Sequence, residues 1–279
     1  MRQILFFSIL LTQAVSCLAD IRPRALVAHS PSAAEAKHGR ELLSGVVKRW
    51  GGSDHWSSAG AMVAELGDHW PAGPARMMAM PWPQSGQPVR LSWQIGTDNA
   101  RLEFSGGERA GEIWGIQNWA TYTIKDGVLK FKDDKTITFW LPTIQYFIEA
   151  PFRLGSADVL FYAGEGKARG QEYDLVFVSW GTAEPQSSID QYLLWINRAT
   201  GQLDFMQYTV RDMYPFVTGV MHYQDFRPIG SLTLPHRLTA AKGLETDGYV
   251  HEMRIASIGL APITDPRVFV PEPLRAGKK

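Results

Sequence analysis

Apolar and polar residues alternate along most of the chain beyond residue 88, with the two-residue period of half-buried β-strands. Val89, Leu91 and Trp93 show the alternation clearly, with Arg90 and Ser92 between them. The pattern predicts strands at 89–95, 101–104, 113–116, 120–125, 128–132, 136–141, 159–164, 173–180, 192–196, 203–210, 220–226, 234–240 and 249–258, with a weaker candidate at 61–66. Because the gaps are mostly of turn length, the strands are predicted to pair as consecutive antiparallel hairpins.

Two segments have the longer period of a helix. Ser32 and Glu35 form a capping-box pattern, and the following apolar residues recur every three to four positions until Gly51 and Gly52 end the helix. A second, largely apolar segment follows Pro142, and we expect a short helix at 143–154 that lies on the sheet.

The predicted fold is mainly β (α+β), a barrel or strongly curved antiparallel sheet with a few helices, because βαβ units would need a helix between neighbouring strands. We expect a signal peptide at 1–19, an unstructured lead-in at 20–31, a single β-domain at 32–261 and a proline-rich tail at 262–279. The mature length suits one domain.

The N-terminus is typical of an export signal, with Arg2 before an apolar run and small residues after it. Two processing positions compete. Cleavage after Ala19 follows a small residue, whereas the stretch Ala14 to Cys17 resembles a bacterial lipobox in which the cysteine is lipidated. Cys17 is the only cysteine, which excludes a disulfide within one molecule. We expect an exported protein that is periplasmic or associated with the outer membrane.

Charge and composition narrow the partners. The chain has 28 basic and 28 acidic residues, so a nucleic-acid partner is not expected. The ten tryptophans and a hydrophobic share of 45% provide ample material for a core.

Catalytic motifs, phosphate loops and zinc signatures are missing from the sequence, so we predict no cofactor, no metal site and no enzymatic activity. Asp-His-Trp occurs at 54–56 and again at 68–70, where packing tryptophans beside partly exposed histidines explain it best. The alternative is a hydrolase whose site is assembled only in three dimensions. Its first candidates are the acid and base side chains of Glu149, His222, Asp225 and His236.

A loop at 71–88 is rich in proline and contains Met77, Met78, Met80 and Trp82. Its simplest interpretation is a loop folded back over the core. Thioethers also bind monovalent copper, and methionines form adaptable apolar surfaces. The stretch from Met77 to Trp82 is therefore the candidate contact with a membrane surface or a protein partner.

Large aromatic residues are frequent in the predicted strands. They either fill a barrel or line an apolar cavity between the sheet and its helices. The candidate ligand-binding residues of such a cavity are Leu91, Trp93, Phe104, Trp114, Tyr146 and Phe147.

Four stretches carry a family resemblance: ELLSGVVKRWGGSDHW (41–56), WLPTIQYFIEAPFRL (140–154), YLLWINRATGQLDFMQYTVRD (192–212) and HYQDFRPIGSLTLPHRL (222–238). Together they resemble the periplasmic lipoprotein-carrier superfamily with the LolA/LolB-like fold, and its uncharacterised exported members most. The resemblance implies an unclosed antiparallel β-barrel around a helical lid. It also implies a cavity that holds a lipid or lipoprotein acyl chain without a cofactor, and binding rather than catalysis. A structural or interaction module with a filled barrel remains the third interpretation.

Overall fold

A single antiparallel sheet of thirteen strands dominates the computed structural model, which describes residues 18–28 and 30–261. The strands are β1 Ala61–His69, β2 Pro88–Gln94, β3 Ala100–Phe104, β4 Ile113–Gln117, β5 Ala120–Lys125, β6 Val128–Phe131, β7 Val159–Ala168, β8 Gln171–Ser179, β9 Tyr192–Asn197, β10 Leu203–Val210, β11 Tyr214–Ile229, β12 Leu232–Ala241 and β13 Tyr249–Ala261. The predicted mainly β class and antiparallel pairing are confirmed.

The order of the strands across the sheet is β6-β5-β4-β3-β2-β1-β13-β12-β11-β10-β9-β8-β7. Strands that follow one another in the chain are therefore neighbours, and the pairing of β1 with β13 joins two meanders. The strands at the two edges, β6 and β7, are consecutive in the chain but do not pair in the described structure. The sheet is thus open, as the family resemblance implies.

The described part of the chain also contains five helices: α1 Arg24–Ala28, α2 Ala33–Arg49, α3 Ser53–Ser58, α4 Pro74–Ala79 and α5 Lys135–Leu154; a 3-10 turn covers Gly107–Arg109. The capping box predicted for α2 is present, since Ser32 and Glu35 bond to each other's backbone N–H groups. Within residues 18–28 and 30–261, each helix falls short of the combined length and apolar character needed to cross a membrane.

Helix α5 corrects two predictions. The sequence predicts a strand at 136–141 and a separate short helix after Pro142. Instead, one helix of 20 residues includes both segments and Pro142 itself. Asp134 starts it by accepting hydrogen bonds from the backbone N–H groups of Thr136 and Ile137. Alternation over so few residues fits a strand as well as a helix. Over the whole segment, however, the buried residues recur every three to four positions, which fits only a helix. These include Ile137, Leu141, Ile144 and Ile148.

Smaller differences lie outside the sheet. Helix α3 follows the predicted helix end at Gly51 and Gly52, helix α4 lies inside the predicted loop at 71–88, and helix α1 lies in the lead-in predicted to be unstructured. Strand β1 continues three residues beyond Leu66, the predicted end of that strand.

The sheet has apolar residues on both faces. Its inner face, which we define as the face covered by α2 and α5, carries the main core, including Met62, Leu91, Leu102, Met206, Met221 and Leu238. The outer face of β7 to β11 carries a second core, including Phe161, Phe177, Trp195 and Phe205, which Leu26 of α1 and Leu244 cover.

Helix α2 lies very close to the edge strand β7. A Cβ atom on Gly39 would come within 2.5 Å of the backbone carbonyl carbon of Phe161, whereas a Cβ atom on Gly45 would meet nothing within 4 Å. The ring of His38 stacks on that of Tyr162 at 4.5 Å beside this contact. The close approach lets α2 cover a strand edge that would otherwise be available for pairing with another chain.

These two glycines give a matched test of the approach. We expect Gly39→Ala to lower the free energy of unfolding by about 1 to 3 kcal/mol, because helix and strand must move apart. We expect Gly45→Ala in the same helix to raise it by about 0.5 to 1 kcal/mol, because alanine is the better helix former. Urea denaturation of both variants measures the two changes, and equal effects would contradict the close packing.

Candidate functional site

The six residues predicted to line a cavity all lie between the inner face of the sheet and α5. Leu91, Trp93 and Phe104 are completely buried, and Trp114 and Phe147 are nearly so. Tyr146 is half-buried on α5. The ring of Phe104 contacts that of Trp114 edge-on, with 5.0 Å between centroids. The structure therefore places all six in one layer, where they contact neighbouring side chains.

An aromatic group lies below the connection from β1 to β2, which we call the 70–87 segment. Trp82 of this segment stacks against Trp114 at 5.9 Å and meets Phe104 edge-on at 6.2 Å. Trp140 of α5 lies 5.8 Å from Trp70 and 6.3 Å from Trp82. These contacts join the segment, the sheet and α5 in one apolar group, the tryptophan cluster.

A buried carboxylate holds the 70–87 segment on the sheet. Asp68, 2% exposed, ends the inward-facing side of β1. Its Oδ2 atom accepts hydrogen bonds from the indole Nε1 atoms of Trp70 at 2.6 Å and of Trp82 at 2.7 Å. Its Oδ1 atom lies 2.8 Å from Nδ1 of His251 on β13, whose ring stacks on Trp70. We call these four residues the Asp68 cluster.

The partners of Asp68 decide its ionisation. Burial alone would raise the pKa of this carboxyl, because a charge is poorly solvated in an apolar interior. The attraction of His251 and the three hydrogen bonds outweigh burial, so the pKa of Asp68 lies below its ordinary value. The group is therefore a charged acceptor at neutral pH.

A second buried carboxylate fixes α5 to the turn between β2 and β3. Glu149 is completely buried and accepts hydrogen bonds from the Trp93 indole and, at 2.8 Å, from Nε of Arg153. Arg153 also pairs with Asp98 at 2.7 Å. Burial raises the pKa of Glu149 to about 6, although Arg153 opposes the rise. One stripe of α5 thus attaches to the turn through charged groups.

Four tyrosines meet on the inner face between α5 and strands β9 to β11. They are Tyr146, Tyr192, Tyr208 and Tyr223. The rings of Tyr146 and Tyr192 are 5.5 Å apart, and Phe147 lies 4.8 Å from Tyr208. Burial raises the pKa of all four phenols well above the ordinary value, so they stay neutral.

The tyrosines leave hydrogen-bonding capacity inside an apolar region. The hydroxyl of Tyr146 is buried, and its neighbour in this layer is the hydroxyl of Tyr192. Tyr146 and Tyr208 are only half-buried, so this is the more accessible part of the inner layer. A phenol O–H is a donor that suits the carbonyl or phosphate oxygens of a ligand.

The candidates for a hydrolase site have their hydrogen bonds with other groups. His222 lies on the outer face and contacts the carbonyl oxygen of Gly243. His236 contacts the Leu234 carbonyl, Asp225 pairs with Arg227, and Glu149 bonds to Trp93 and Arg153. The sheet therefore separates His222 from the buried Glu149. Across residues 18–28 and 30–261, no group of three or more His, Cys, Asp or Glu side chains has the spacing of a metal site.

The methionines of the 70–87 segment have different environments. Met77 and Met78 of α4 are 88% and 76% exposed, whereas Met80 is half-buried and Trp82 is 4% exposed. The segment is thus folded back over the core, as its simplest interpretation predicts, and two thioethers point to solvent.

The N-terminal predictions are only partly within the described chain. Cys17, the possible lipidation site, lies outside the described residues, as do most of the signal and the tail from 262. Ala19 is described and is bound against β11, since its backbone N–H donates to the carbonyl oxygen of Pro215 at 3.0 Å.

Comparisons with known proteins give a likeness of fold. No protein-family model matches the chain. No curated protein matches it either. Among solved structures, a DUF1329 family protein from Desulfovibrio piger superposes with a TM-score of 0.52 and 8% identity, over 84% of this chain and 97% of the other.

Two further solved structures are similar at lower scores. One is the LolA superfamily protein NE2245 from Nitrosomonas europaea, with a TM-score of 0.49, 9% identity and coverage of 82% of this chain and 96% of the other. The other is a putative outer membrane lipoprotein-sorting protein domain from Vibrio parahaemolyticus. It superposes with a TM-score of 0.48 and 10% identity, over 84% of this chain and 97% of the other. At such identities these likenesses concern the fold alone, and the DUF1329 structure, with the highest TM-score of the three, supports the open antiparallel architecture.

The Asp68 cluster gives a test of how the 70–87 segment is held. We expect Asp68→Asn to lower the free energy of unfolding by about 2 to 4 kcal/mol at neutral pH, because a buried hydrogen-bonded charge is lost. Asp126→Asn is the control: Asp126 is exposed in the β5–β6 turn at a φ of 50°, which asparagine also adopts.

The same variant predicts a pH dependence. A carboxyl with a depressed pKa stabilises the folded protein above its unfolded pKa, and this contribution is lost as the pH falls through the folded value. The difference in stability between wild type and Asp68→Asn should therefore be largest at neutral pH and shrink below about pH 4. Urea denaturation at several pH values measures it, and a difference that grows on acidification would exclude an ionised Asp68.

Proposed function

We propose that this chain is a non-enzymatic binding protein of the bacterial cell envelope. It holds an acyl-bearing or amphipathic ligand, such as a lipid or a lipoprotein acyl chain, between the inner face of the sheet and α5. The observation that carries the proposal is the continuous aromatic layer in this position, from the tryptophan cluster to the four tyrosines. The likeness of fold to the LolA superfamily supports the same interpretation.

Apolar burial alone supplies enough free energy for such binding. Each buried methylene contributes about 0.8 kcal/mol, and micromolar affinity corresponds to about 8 kcal/mol. About ten methylenes of one acyl chain therefore suffice, even without a charged group for the ligand.

Entry of an acyl chain requires inner-face side chains to move, because Leu91, Trp93 and Phe104 are fully buried. The tyrosine side is the accessible one, with Tyr146 and Tyr208 half-buried. We infer that the chain enters there and displaces Phe147, which packs on Tyr208. The buried hydroxyl of Tyr146 then donates to the polar end of the ligand.

The exposed methionines of α4 have a role in the same proposal. Met77 and Met78 form an apolar surface at the end of β1, next to the tryptophan cluster. Thioether side chains suit adaptable apolar contacts. We infer that this surface contacts a membrane or a protein partner when the ligand is exchanged.

The proposed location is the periplasm or the outer membrane. Its support is the export signal at the N-terminus of the sequence, together with the fold. An interaction module with a filled sheet is the second candidate, and the complete burial of Leu91, Trp93 and Phe104 favours it.

Native mass spectrometry of protein purified from its own envelope, followed by organic extraction, tests the binding. We expect an acyl-bearing species on the wild type. Phe147→Gln should lose it, because a polar group would then face the acyl chain. Phe161→Gln is the matched control, since both phenylalanines are 6% exposed but Phe161 lies in the outer core.

Both variants must retain a cooperative unfolding transition for the comparison to count, so circular dichroism accompanies it. If the wild type carries no ligand and binds none after incubation with phospholipids and a triacylated lipopeptide, the result would favour the interaction module. Equal loss from both variants would contradict binding at the inner face.

Vesicle co-sedimentation tests the methionine surface. We expect Met77→Ser combined with Met78→Ser to weaken binding to vesicles of phosphatidylethanolamine and phosphatidylglycerol on the order of tenfold. Trp119→Ser is the control, because this 59% exposed residue lies in the β4–β5 turn, at the opposite end of the strands. Unchanged sedimentation of the methionine variant would exclude membrane contact through α4.

A further inference from the structure

The residues just after the predicted signal are built into the fold. The backbone N–H of Ala19 donates to the Pro215 carbonyl oxygen at 3.0 Å, and its own carbonyl oxygen accepts from Nη2 of Arg211 at 2.5 Å. Two residues later, the N–H of Ile21 donates to the side chain of the buried Gln191 at 3.3 Å. The backbone N–H and the carbonyl oxygen of Ala19 are therefore both hydrogen-bonded to the fold.

Arg211 depends on this contact. Its side chain is 4% exposed although it carries a permanent charge. Nη1 donates to the Pro215 carbonyl oxygen at 3.0 Å, and the Ala19 carbonyl is the nearest acceptor of Nη2, with the Gln191 amide oxygen farther away at 3.5 Å. Within the described residues, Nε is already buried without a partner. A buried guanidinium that loses a further acceptor is strongly destabilising.

Cleavage after Ala19 would remove that acceptor and replace it with a charge. The new N-terminus would be the ammonium group of Asp20, which is mostly protonated at neutral pH because α-amino groups have a pKa of about 7.7 to 8.0. Its nitrogen is the atom now bonded to the carbonyl carbon of Ala19, whose oxygen Arg211 contacts. Two cations would then be close together at a poorly solvated position, and like charges repel most strongly there.

We propose that the mature protein retains Ala19, so that the bond cut during export lies on its N-terminal side. Of the two processing positions predicted from the sequence, the one before Cys17 leaves Leu18 and Ala19 in place, and the one after Ala19 removes the Arg211 contact. The inference rests on the proposed export but not on the identity of the ligand.

The N-terminus of the mature protein tests the inference directly. The full sequence is expressed with its own signal in a Gram-negative host, and the N-terminal peptide of the envelope-bound protein is identified by mass spectrometry. We expect a processed chain that contains Ala19; a start at Cys17 with the added mass of a diacylglycerol identifies the lipoprotein route. A start at Asp20 or later overturns the inference. An unprocessed cytoplasmic chain overturns the proposed export and, with it, this inference.

A thermodynamic cycle tests the physical reason. Chains that start at Leu18 and at Asp20 are released from a cleavable fusion and compared by thermal unfolding. We expect the Asp20 start to lower the midpoint by about 3 °C or more, and Arg211→Met to reduce this difference. Equal midpoints for the two starts, or a difference that Arg211→Met leaves unchanged, would exclude the proposed role of the contact.

Discussion

Helix α5 covers an apolar sheet face that would otherwise be exposed to water, and the open form of the sheet makes this contact necessary. The edge strands β6 and β7 are not paired with each other, so the interior is shielded by helices rather than by a closed ring of strands. Helix α5 is also the connection between these two edges. Its burial therefore fixes the curvature of the sheet and the space available inside it.

Two buried carboxylates hold the 70–87 segment and α5 in place, and their pKa values shift in opposite directions. Asp68 and Glu149 are both buried, but Asp68 has three hydrogen-bond donors including His251, whereas burial dominates at Glu149. A buried charge is stable only where its partners outweigh the loss of water. The two carboxylates thus differ in their response to acid. Asp68 keeps its charge to a lower pH than a free side chain, whereas Glu149 takes up a proton at a higher pH than a free side chain.

Local patterns could predict the hairpins, because each depends on neighbours in the chain and on a turn such as Asp126-Gly127. They could not predict the start of α5, since the alternation at Thr136–Leu141 fits a strand over so short a window. The Asp68 cluster was missed for another reason. Aspartate is uncommon in strands, and its partner His251 lies 183 residues away in the chain. Continuing the alternation from Leu66 would place Asp68 and Trp70 on the buried side of the strand. Only the three-dimensional structure identifies His251 as the partner of Asp68.

The pairing of β1 with β13 has a consequence for the order of events during synthesis. Ala61 pairs with Ala261, so the middle of the sheet forms between the first strand and the last. Contacts this distant in the chain form slowly, because a long loop must close first. The sheet cannot be completed until residue 261 has emerged from the ribosome. In the proposed export, the chain would cross the membrane as an extended polypeptide, and this delay would keep it competent for translocation until folding finishes on the far side.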